Sequence, residues 1–303
     1  MLRITYGQQE HWQDVQKVIE GISPDEHDYV LDEWLHWLDH PESGMTLVAL
    51  WNDKAVATCH ISYVDEHTVW FHGMRVDIHY QGRGIAGVCN RFAVESLRQK
   101  GFRIAMASID SDNINSQKAA TRSGFRNVYT YDYLTPSDTS DASAVDGVWE
   151  ELPLTIENAT PYVDALLPHL MEKQRMMLLC FSLAPVNPQS VVEEMQMGSV
   201  NAFMGFQQGD FRAWAGVFVE DPNDPALVMS PACTDISQWH IALRALECQM
   251  AKEQREFGIW VTPDDPLYQP TLDHGYVAIP SSGYQIWERD LTLDSIPEPQ
   301  GNR

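Results

Sequence analysis

The chain has 303 residues, of which 44% are hydrophobic and 21% are charged, a composition typical of globular proteins that argues against wholesale disorder. Its length predicts two domains. Its formal net charge is −23, and residues 136–303, with 8 basic and 25 acidic side chains, contribute −17 of it. Such a charge repels nucleic acid and anionic lipid, so we expect neither as a partner; it favours cationic or zwitterionic ligands or simply keeps the protein soluble.

The cysteines and the first residues exclude further classes. No Cys-x-x-Cys pair or His-rich ligand spacing occurs, which predicts buried thiols and neither a disulfide framework nor a metal site. The opening MLRITYGQQE lacks an apolar segment behind a basic start, and no apolar run reaches the roughly 18 residues of a membrane span. We expect a cytoplasmic protein, and its oligomeric state, monomer or homodimer, stays open.

The first half of the chain alternates strands and helices. Period-2 and period-3.6 apolar patterns define these elements. In chain order they are a strand at 2–6, helices at 10–21 and 25–38, a hairpin of 46–51 and 55–63, a strand at 68–77, a helix at 84–100, a strand at 103–109, a helix from 113 and a strand at 125–134.

A glycine loop follows the strand at 68–77. It reads Gln81-Gly82-Arg83-Gly84-Ile85-Ala86 and leads into the next helix. Without side chains at positions 82 and 84, successive backbone N–H groups can turn toward one anion, and the helix N-terminus adds a favourable dipole. The spacing matches neither the three-glycine dinucleotide motif nor the Walker loop. We interpret the loop as a pyrophosphate cradle.

This loop resembles the Q/R-x-x-G-x-G/A signature of the GCN5-related N-acetyltransferase (GNAT) superfamily, which binds the pyrophosphate of acetyl-CoA. Met74-Arg75-Val76 precedes it and NINSQKAATRSGF, residues 113–125, follows it, in the family's order. The resemblance implies an α/β (α+β) fold with a mixed, mostly antiparallel central sheet flanked by helices. It also implies acetyl-CoA as co-substrate and no metal.

The resemblance further implies which residues form the site. The acceptor wall would include Glu33, Trp34 and Trp37, although core packing is the alternative for the tryptophans. The candidate catalytic residues are His72, which could relay a proton through water or fill a sheet face, and Asp110, which could fix a substrate ammonium or cap a helix. The implied cofactor-binding residues are Met74, Arg75, Val76, Gln81, Gly82, Arg83, Gly84, Ile85, Ala86, Gly87, Asn113 and Ser116.

One position departs from the family pattern. Ala120 stands where many members carry a tyrosine that protonates the departing coenzyme A thiolate. Either another hydroxyl replaces it or the thiolate leaves unassisted, which costs little because thiol pKa values lie near 8.5.

The second half repeats the plan in weakened form. Strands at 199–206, 211–220 and 226–231, a helix at 237–256 and a strand at 257–261 follow one another as in the first half. Where the glycine loop should recur, residues 233–239 read CTDISQW, without glycine and with an acidic residue. We predict a diverged duplicate that cannot hold coenzyme A and that serves a structural role.

The predicted domains are therefore an acetyltransferase domain at 1–135, a linker at 136–148, a degenerate GNAT-like domain at 149–293 and a flexible tail at 294–303. The predicted function is acetyl-CoA-dependent N-acetylation of a primary amine on a small molecule or amino acid, by direct attack. Three alternatives stay open: N-acetylation of peptides or proteins, acyl-CoA sensing without turnover, and catalysis by the second domain.

Overall fold

The computed structural model describes residues 1–22, 27–137, 148–169, 176–179, 182–196, 201–219, 224–280 and 283–293. Most of the predicted linker and all of the predicted tail lie outside these residues. Within the described ranges, no helix combines the length and apolarity that crossing a membrane requires.

The first half contains the strands and helices that the sequence predicts, in the predicted order. A short 3-10 turn precedes α1, and α2 begins later than predicted, at Val30. The elements are β1 (Leu2–Tyr6), α1 (Trp12–Glu20), α2 (Val30–Asp39), β2 (Gly44–Trp51), β3 (Lys54–Tyr63), β4 (Thr68–Val76), α3 (Ile85–Gln99), β5 (Ile104–Asp110), α4 (Ile114–Arg122) and β6 (Arg126–Pro136).

The second half contains the predicted meander, helix and strand, together with elements that the sequence did not indicate. Its elements are β7 (Trp149–Glu151), α5 (Ile156–Leu166), β8 (Met176–Leu179), β9 (Ser182–Pro185), α6 (Pro188–Glu194), β10 (Ala202–Gln208), β11 (Phe211–Phe218), β12 (Ala226–Cys233), α7 (Trp239–Glu253), β13 (Phe257–Val261), α8 (Tyr268–Asp273), β14 (Tyr276–Ala278) and β15 (Tyr284–Asp290).

The chain forms two compact units. The first comprises Met1–Ile109, Asn113–Val128 and Gln285–Arg303, and the second comprises Asp110–Asp112 and Tyr129–Tyr284. The first unit thus takes its last strand from the far end of the sequence, and β6 lies mainly in the second unit.

In the first unit the strand order is β1-β2-β3-β4-β5-β15. Neighbours from β1 to β4 are antiparallel, and β4 and β5 are parallel. Helix α3 packs against this sheet because its apolar residues recur every four positions, at Ile85, Cys89, Ala93 and Leu97, all 2% exposed or less. A separate cluster includes Val15, Trp34 and Val48 of α1, α2 and β2.

The second unit repeats this layout. Its strand order is β6-β13-β12-β11-β10-β7, with β14 beside β6. The parallel pair is now β12 and β13, and α7 packs on the sheet as α3 does in the first unit. The predicted mixed, mostly antiparallel α/β class and the predicted duplication are both confirmed.

Candidate active site

Strands β4 and β5 separate partway along their length. Their parallel pairing runs from Thr68 to Phe71 of β4 and stops there, which leaves Met74 to Val76 unpaired on that side. The separation coincides with a bulge, because a single residue between Thr58 and His60 of β3 faces Gly73 and Met74 together. The bulge requires glycine: φ at Gly73 is +62°, and a Cβ there would lie 3.0 Å from the Trp37 ring.

The glycine loop presents bare backbone donors. Gly82 and Gly84 have φ of +74° and +76°, and a Cβ at either position would meet nothing within 4 Å. Among the described residues, no hydrogen-bond acceptor pairs with the backbone N–H groups of residues 82–87. Four of these groups belong to the helix N-cap and its first turn, where the dipole favours an anion. The donors and the open space fit a pyrophosphate.

Two side chains of this loop contact neighbouring residues. Gln81 donates from Nε2 to the Val76 carbonyl at 3.0 Å, which ties the loop to the splayed strand. The Arg83 guanidinium lies 5.1 Å from the ring centre of Tyr80 and 5.7 Å from that of Trp51, within cation–π range. A phosphate contact by Arg83 stays a prediction.

Asn113 is the N-cap of α4. Its Oδ1 accepts the Ser116 backbone N–H at 3.0 Å, so Asn113 fills the capping role that the sequence offered as an alternative for Asp110. The cofactor contacts expected of Asn113 and Ser116 remain predictions.

We expect Asn113→Ala to cost about 1 kcal/mol of stability through the lost cap, and Asn113→Asp to keep the cap. If Asn113 also contacts acetyl-CoA, the aspartate will weaken binding by repelling phosphate, although the protein stays as stable as the parent. Melting temperature and titration calorimetry separate the two effects. Equal binding by all three proteins would leave Asn113 with the capping role alone.

His72 belongs to a cluster of packed rings beside the bulge. Its Nε2 lies 2.9 Å from Ser62 Oγ, and its ring meets those of His60 and Trp37 edge-on at 5.1 Å and 5.3 Å. Burial, and secondarily the charge of Arg75, lowers the pKa of His72 to about 4. The imidazole is therefore neutral at pH 7, when it is a weak base.

The pKa of His60 is lowered still further than that of His72. Burial, aided by His72 and His36, lowers its pKa to about 2, and its Nδ1 lies 2.8 Å from Thr46 Oγ1. Its ring stacks on Trp37 at 4.3 Å.

These two histidines predict acid sensitivity. Both titrate near 6.5 in the unfolded chain, so below that pH the unfolded state binds protons that the two imidazoles do not bind in the folded state. The free energy of unfolding should fall as the pH drops from 6.5 to 4, by up to about 1.4 kcal/mol per pH unit for each histidine. Below pH 4 the contribution of His60 should continue to fall. Denaturant midpoints between pH 7 and pH 4.5 check this, and His60→Gln should flatten the slope.

Arg75 forms a bidentate ion pair on the splayed strand. Its Nε and Nη2 donate to the two carboxylate oxygens of Asp28, at 2.5 Å and 3.1 Å, and the Asp28 side chain is only 5% exposed. Asp28 also accepts the Val30 N–H, which ties the start of α2 to β4. The side chain of Arg75 therefore has a partner, whereas its predicted cofactor contact concerns its backbone.

The predicted acceptor-wall residues differ in exposure. Trp34 is fully buried and stacks on Trp12 at 6.2 Å, which favours its core-packing alternative. Trp37 is 6% exposed but touches the bulge and the histidine cluster. Glu33 is partly exposed on α2.

Asp110, at the end of β5, is assigned to the second unit. Its carboxylate hydrogen-bonds with Tyr284, and burial raises its pKa. The roles predicted for Asp110 and His72 stay predictions.

The second unit has no open cradle at the corresponding turn. There the Asp235 carboxylate accepts the backbone N–H of Ser237 at 3.0 Å and the side-chain amide of Gln238 at 2.7 Å, just before α7. A cavity of about 880 Å³ adjoins this turn, and Asp164, Asp210 and Asp235 line it together with Arg212. A carboxylate thus lies where the first unit offers free N–H groups.

Sequence reasoning missed the contribution of Asp28, Tyr29 and Ser62. Tyr29 accepts the Gly73 N–H through its hydroxyl oxygen at 2.9 Å, and Ser62 contacts His72. Only Gly73 gave a sequence signal, because a glycine inside a strand indicates a bulge or a close backbone approach.

Known proteins resemble this chain in sequence over one segment and in fold over most of its length. Residues 9–125 match the model of the acetyltransferase (GNAT) family. No curated protein matches the chain. Among solved structures, a tandem GNAT protein from the clavulanic acid biosynthesis pathway is 14% identical with a TM-score of 0.64, over 97% of this chain and all of that one.

Two further solved structures are similar over most of the chain. A putative acetyltransferase from Pyrococcus horikoshii is 13% identical with a TM-score of 0.58, over 95% of this chain and 89% of its own. A GCN5-related N-acetyltransferase from Kribbella flavida is 15% identical with a TM-score of 0.59, over 96% and 72% respectively. These likenesses show the fold over most of the chain, and the family model identifies an acetyltransferase (GNAT) domain at residues 9–125.

Proposed function

We propose that the chain is an acetyl-CoA-dependent N-acetyltransferase whose first unit transfers the acetyl group to a primary amine of a small molecule or amino acid. The observation that carries the proposal is the continuity of the splayed β4 backbone with the open glycine cradle. The cradle would hold the pyrophosphate, and Met74 to Val76 would pair with the pantetheine arm. Acetyl-CoA would then enter as a co-substrate, with no metal.

The proposed reaction is direct attack of the neutral amine on the thioester carbonyl. An α-amine with a pKa near 8 loses its proton at pH 7 for roughly 1 kcal/mol, whereas a lysine ε-amine needs nearly 5. Since the nearby imidazoles are neutral and weakly basic, the site suits an amine of low pKa. The negative net charge of the chain favours a cationic or zwitterionic acceptor.

A second candidate is a sensor that binds acyl-CoA without turnover. It is favoured by Ala120, which is 7% exposed and packs in the core, so that α4 offers no hydroxyl at this position. N-acetylation of peptides or proteins is the alternative within the enzyme class.

One assay separates these functions. Release of free coenzyme A from acetyl-CoA would be followed with a thiol reagent, across the twenty amino acids, polyamines and short peptides. Release that depends on a small amine supports the proposal, and release with peptides alone supports the protein-directed alternative. If no acceptor causes release of coenzyme A but acetyl-CoA binding is measurable, the result supports the sensor.

A further inference from the structure

The Tyr29 hydroxyl lies at the β4 bulge, where β4 and β5 part. Its oxygen is 2.9 Å from the Gly73 backbone nitrogen and 3.4 Å from His72 Nδ1. The next residue after Gly73 is Met74, which begins the proposed pantetheine-binding stretch. This places a phenol beside the segment that would carry the thioester.

The ring of Tyr29 is held from three sides. It stacks parallel to His72 at 6.3 Å, meets Trp37 edge-on at 6.2 Å, and carries the Arg75 guanidinium 5.6 Å from its centre. Arg75 is itself fixed by Asp28. The hydroxyl is therefore positioned by packing, although the residue as a whole is 43% exposed.

The hydrogen-bond roles at this oxygen follow from chemistry. A backbone amide can only donate, so the phenol oxygen accepts the Gly73 N–H and keeps its own proton for another group. His72 Nε2 contacts Ser62 Oγ at 2.9 Å. If Ser62 donates to Nε2, the imidazole proton sits on Nδ1 and becomes a second donor to Tyr29.

We propose that Tyr29 donates its proton to the departing coenzyme A thiolate, and that the Gly73 N–H and the His72 Nδ1–H stabilise the phenolate that forms. This inference rests on the proposed acetyl transfer. Tyr29 would be a catalytic residue, and His72 a positioning residue that acts through it, in place of the relay role expected from the sequence.

The step balances without an added reactant. The amine nitrogen forms a bond to the carbonyl carbon, and the C–S bond breaks with its electron pair leaving on sulfur. The phenol proton moves to that sulfur, giving the free thiol. The proton that the nitrogen loses then returns to the phenolate, directly or through one water, which restores Tyr29.

Two opposing electrostatic effects act on the Tyr29 phenol. Burial raises its pKa, which keeps it protonated at neutral pH but makes it a weaker acid. The Arg75 charge and the Gly73 N–H oppose that rise by favouring the phenolate. A protonated group with two or three partners for its anion is suited to proton donation.

Tyr29→Phe tests the proposal, with Tyr6→Phe as the matched control because Tyr6 is an exposed tyrosine of the same unit. We expect Tyr29→Phe to lower kcat by about 100-fold while the Kd for acetyl-CoA stays within twofold. Tyr6→Phe should match the parent. A kcat within threefold of the parent, or a fall in affinity as large as the fall in kcat, would overturn the proposal.

Two variants of His72 give an independent test should the phenylalanine protein not fold. Asparagine places an N–H where Nδ1 lies, whereas glutamine places its amide near Nε2. We expect His72→Asn to retain kcat within about threefold and His72→Gln to lose at least tenfold; equal kcat values would contradict the proposal. If the parent protein releases no coenzyme A thiol with any acceptor, the proposed function fails. If turnover occurs but does not depend on Tyr29, only this inference is overturned.

Discussion

Gly84→Val is expected to raise the Kd for acetyl-CoA by about 100-fold, equivalent to about 2.7 kcal/mol of binding free energy. Gly84 is the N-cap of α3 with φ of +76°, a conformation that a β-branched residue rarely adopts. A Cβ there would meet nothing within 4 Å, so the backbone conformation and not a clash makes valine unfavourable. Valine therefore distorts the loop that offers the unpaired N–H groups.

The matched control for this variant is Gly101→Val. Gly101 has φ of +93°, a Cβ there would also meet nothing within 4 Å, and the residue lies in the same unit. It follows the far end of α3, whose 15 residues span about 22 Å. Both variants should lose similar stability, but only Gly84→Val should lose acetyl-CoA affinity in titration calorimetry. Unchanged turnover in Gly84→Val would instead favour catalysis by the second unit.

The glycine loop was predictable because every feature of it is local. Two glycines at positive φ, a preceding strand and a following amphipathic helix all lie within residues 68–100, and periodicity reveals each of them. The turn at Asn52 and Asp53, both at positive φ, was equally local, since these residue types tolerate that conformation.

The surroundings of the bulge were less predictable. Tyr29 reaches Gly73 across 44 positions and Asp28 reaches Arg75 across 47, so no local pattern pairs them. Spaced tryptophans predict an apolar helix face, but the sequence does not reveal that Trp34 is fully buried and that Trp37 touches the bulge. Contacts of this kind depend on how α2 packs on β4.

The exchange of strands between the two halves is the least local feature. The sequence predicts a first domain that closes with the strand following Gly124-Phe125, because that strand comes next in the chain. In the structure, β15 lies beside β5 in the first unit, and most of β6 belongs to the second. Strand β6 has 11 residues and β15 has 7, and both mix apolar with polar residues, so hydrophobic periodicity cannot assign either one to a sheet.

Removing β15 is therefore expected to unfold the first unit. Ile286 and Leu291 are 1% exposed, and Trp287 packs in the same core cluster as Phe71 and Ile85. Replacing a buried tryptophan with alanine alone typically costs 3–5 kcal/mol, so loss of the whole strand should exceed the roughly 5–15 kcal/mol of a domain's stability once the lost sheet hydrogen bonds are added.

Polar contacts make the same strand hard to replace. Arg289 is 5% exposed and donates from Nη1 to the Ser123 carbonyl, at the end of α4. Arg98 of α3 donates from Nε to the Leu291 carbonyl at 2.6 Å. Loss of the strand would remove the Arg289 donor to the Ser123 carbonyl and the Leu291 carbonyl that accepts from Arg98, at a cost beyond that of the lost apolar area.

The experiment compares a chain that ends at residue 283 with one that ends at residue 293. The longer chain keeps β15 and the segment that contacts Arg98, so it should bind acetyl-CoA with the parent's affinity and melt cooperatively. The shorter chain should lose affinity and give no cooperative transition for the first unit, whereas Trp287→Ala should retain the transition at a lower temperature. A fragment of residues 1–135 that folds alone and binds acetyl-CoA would contradict this account, because it would show that β6 can close the first sheet as the sequence order predicts.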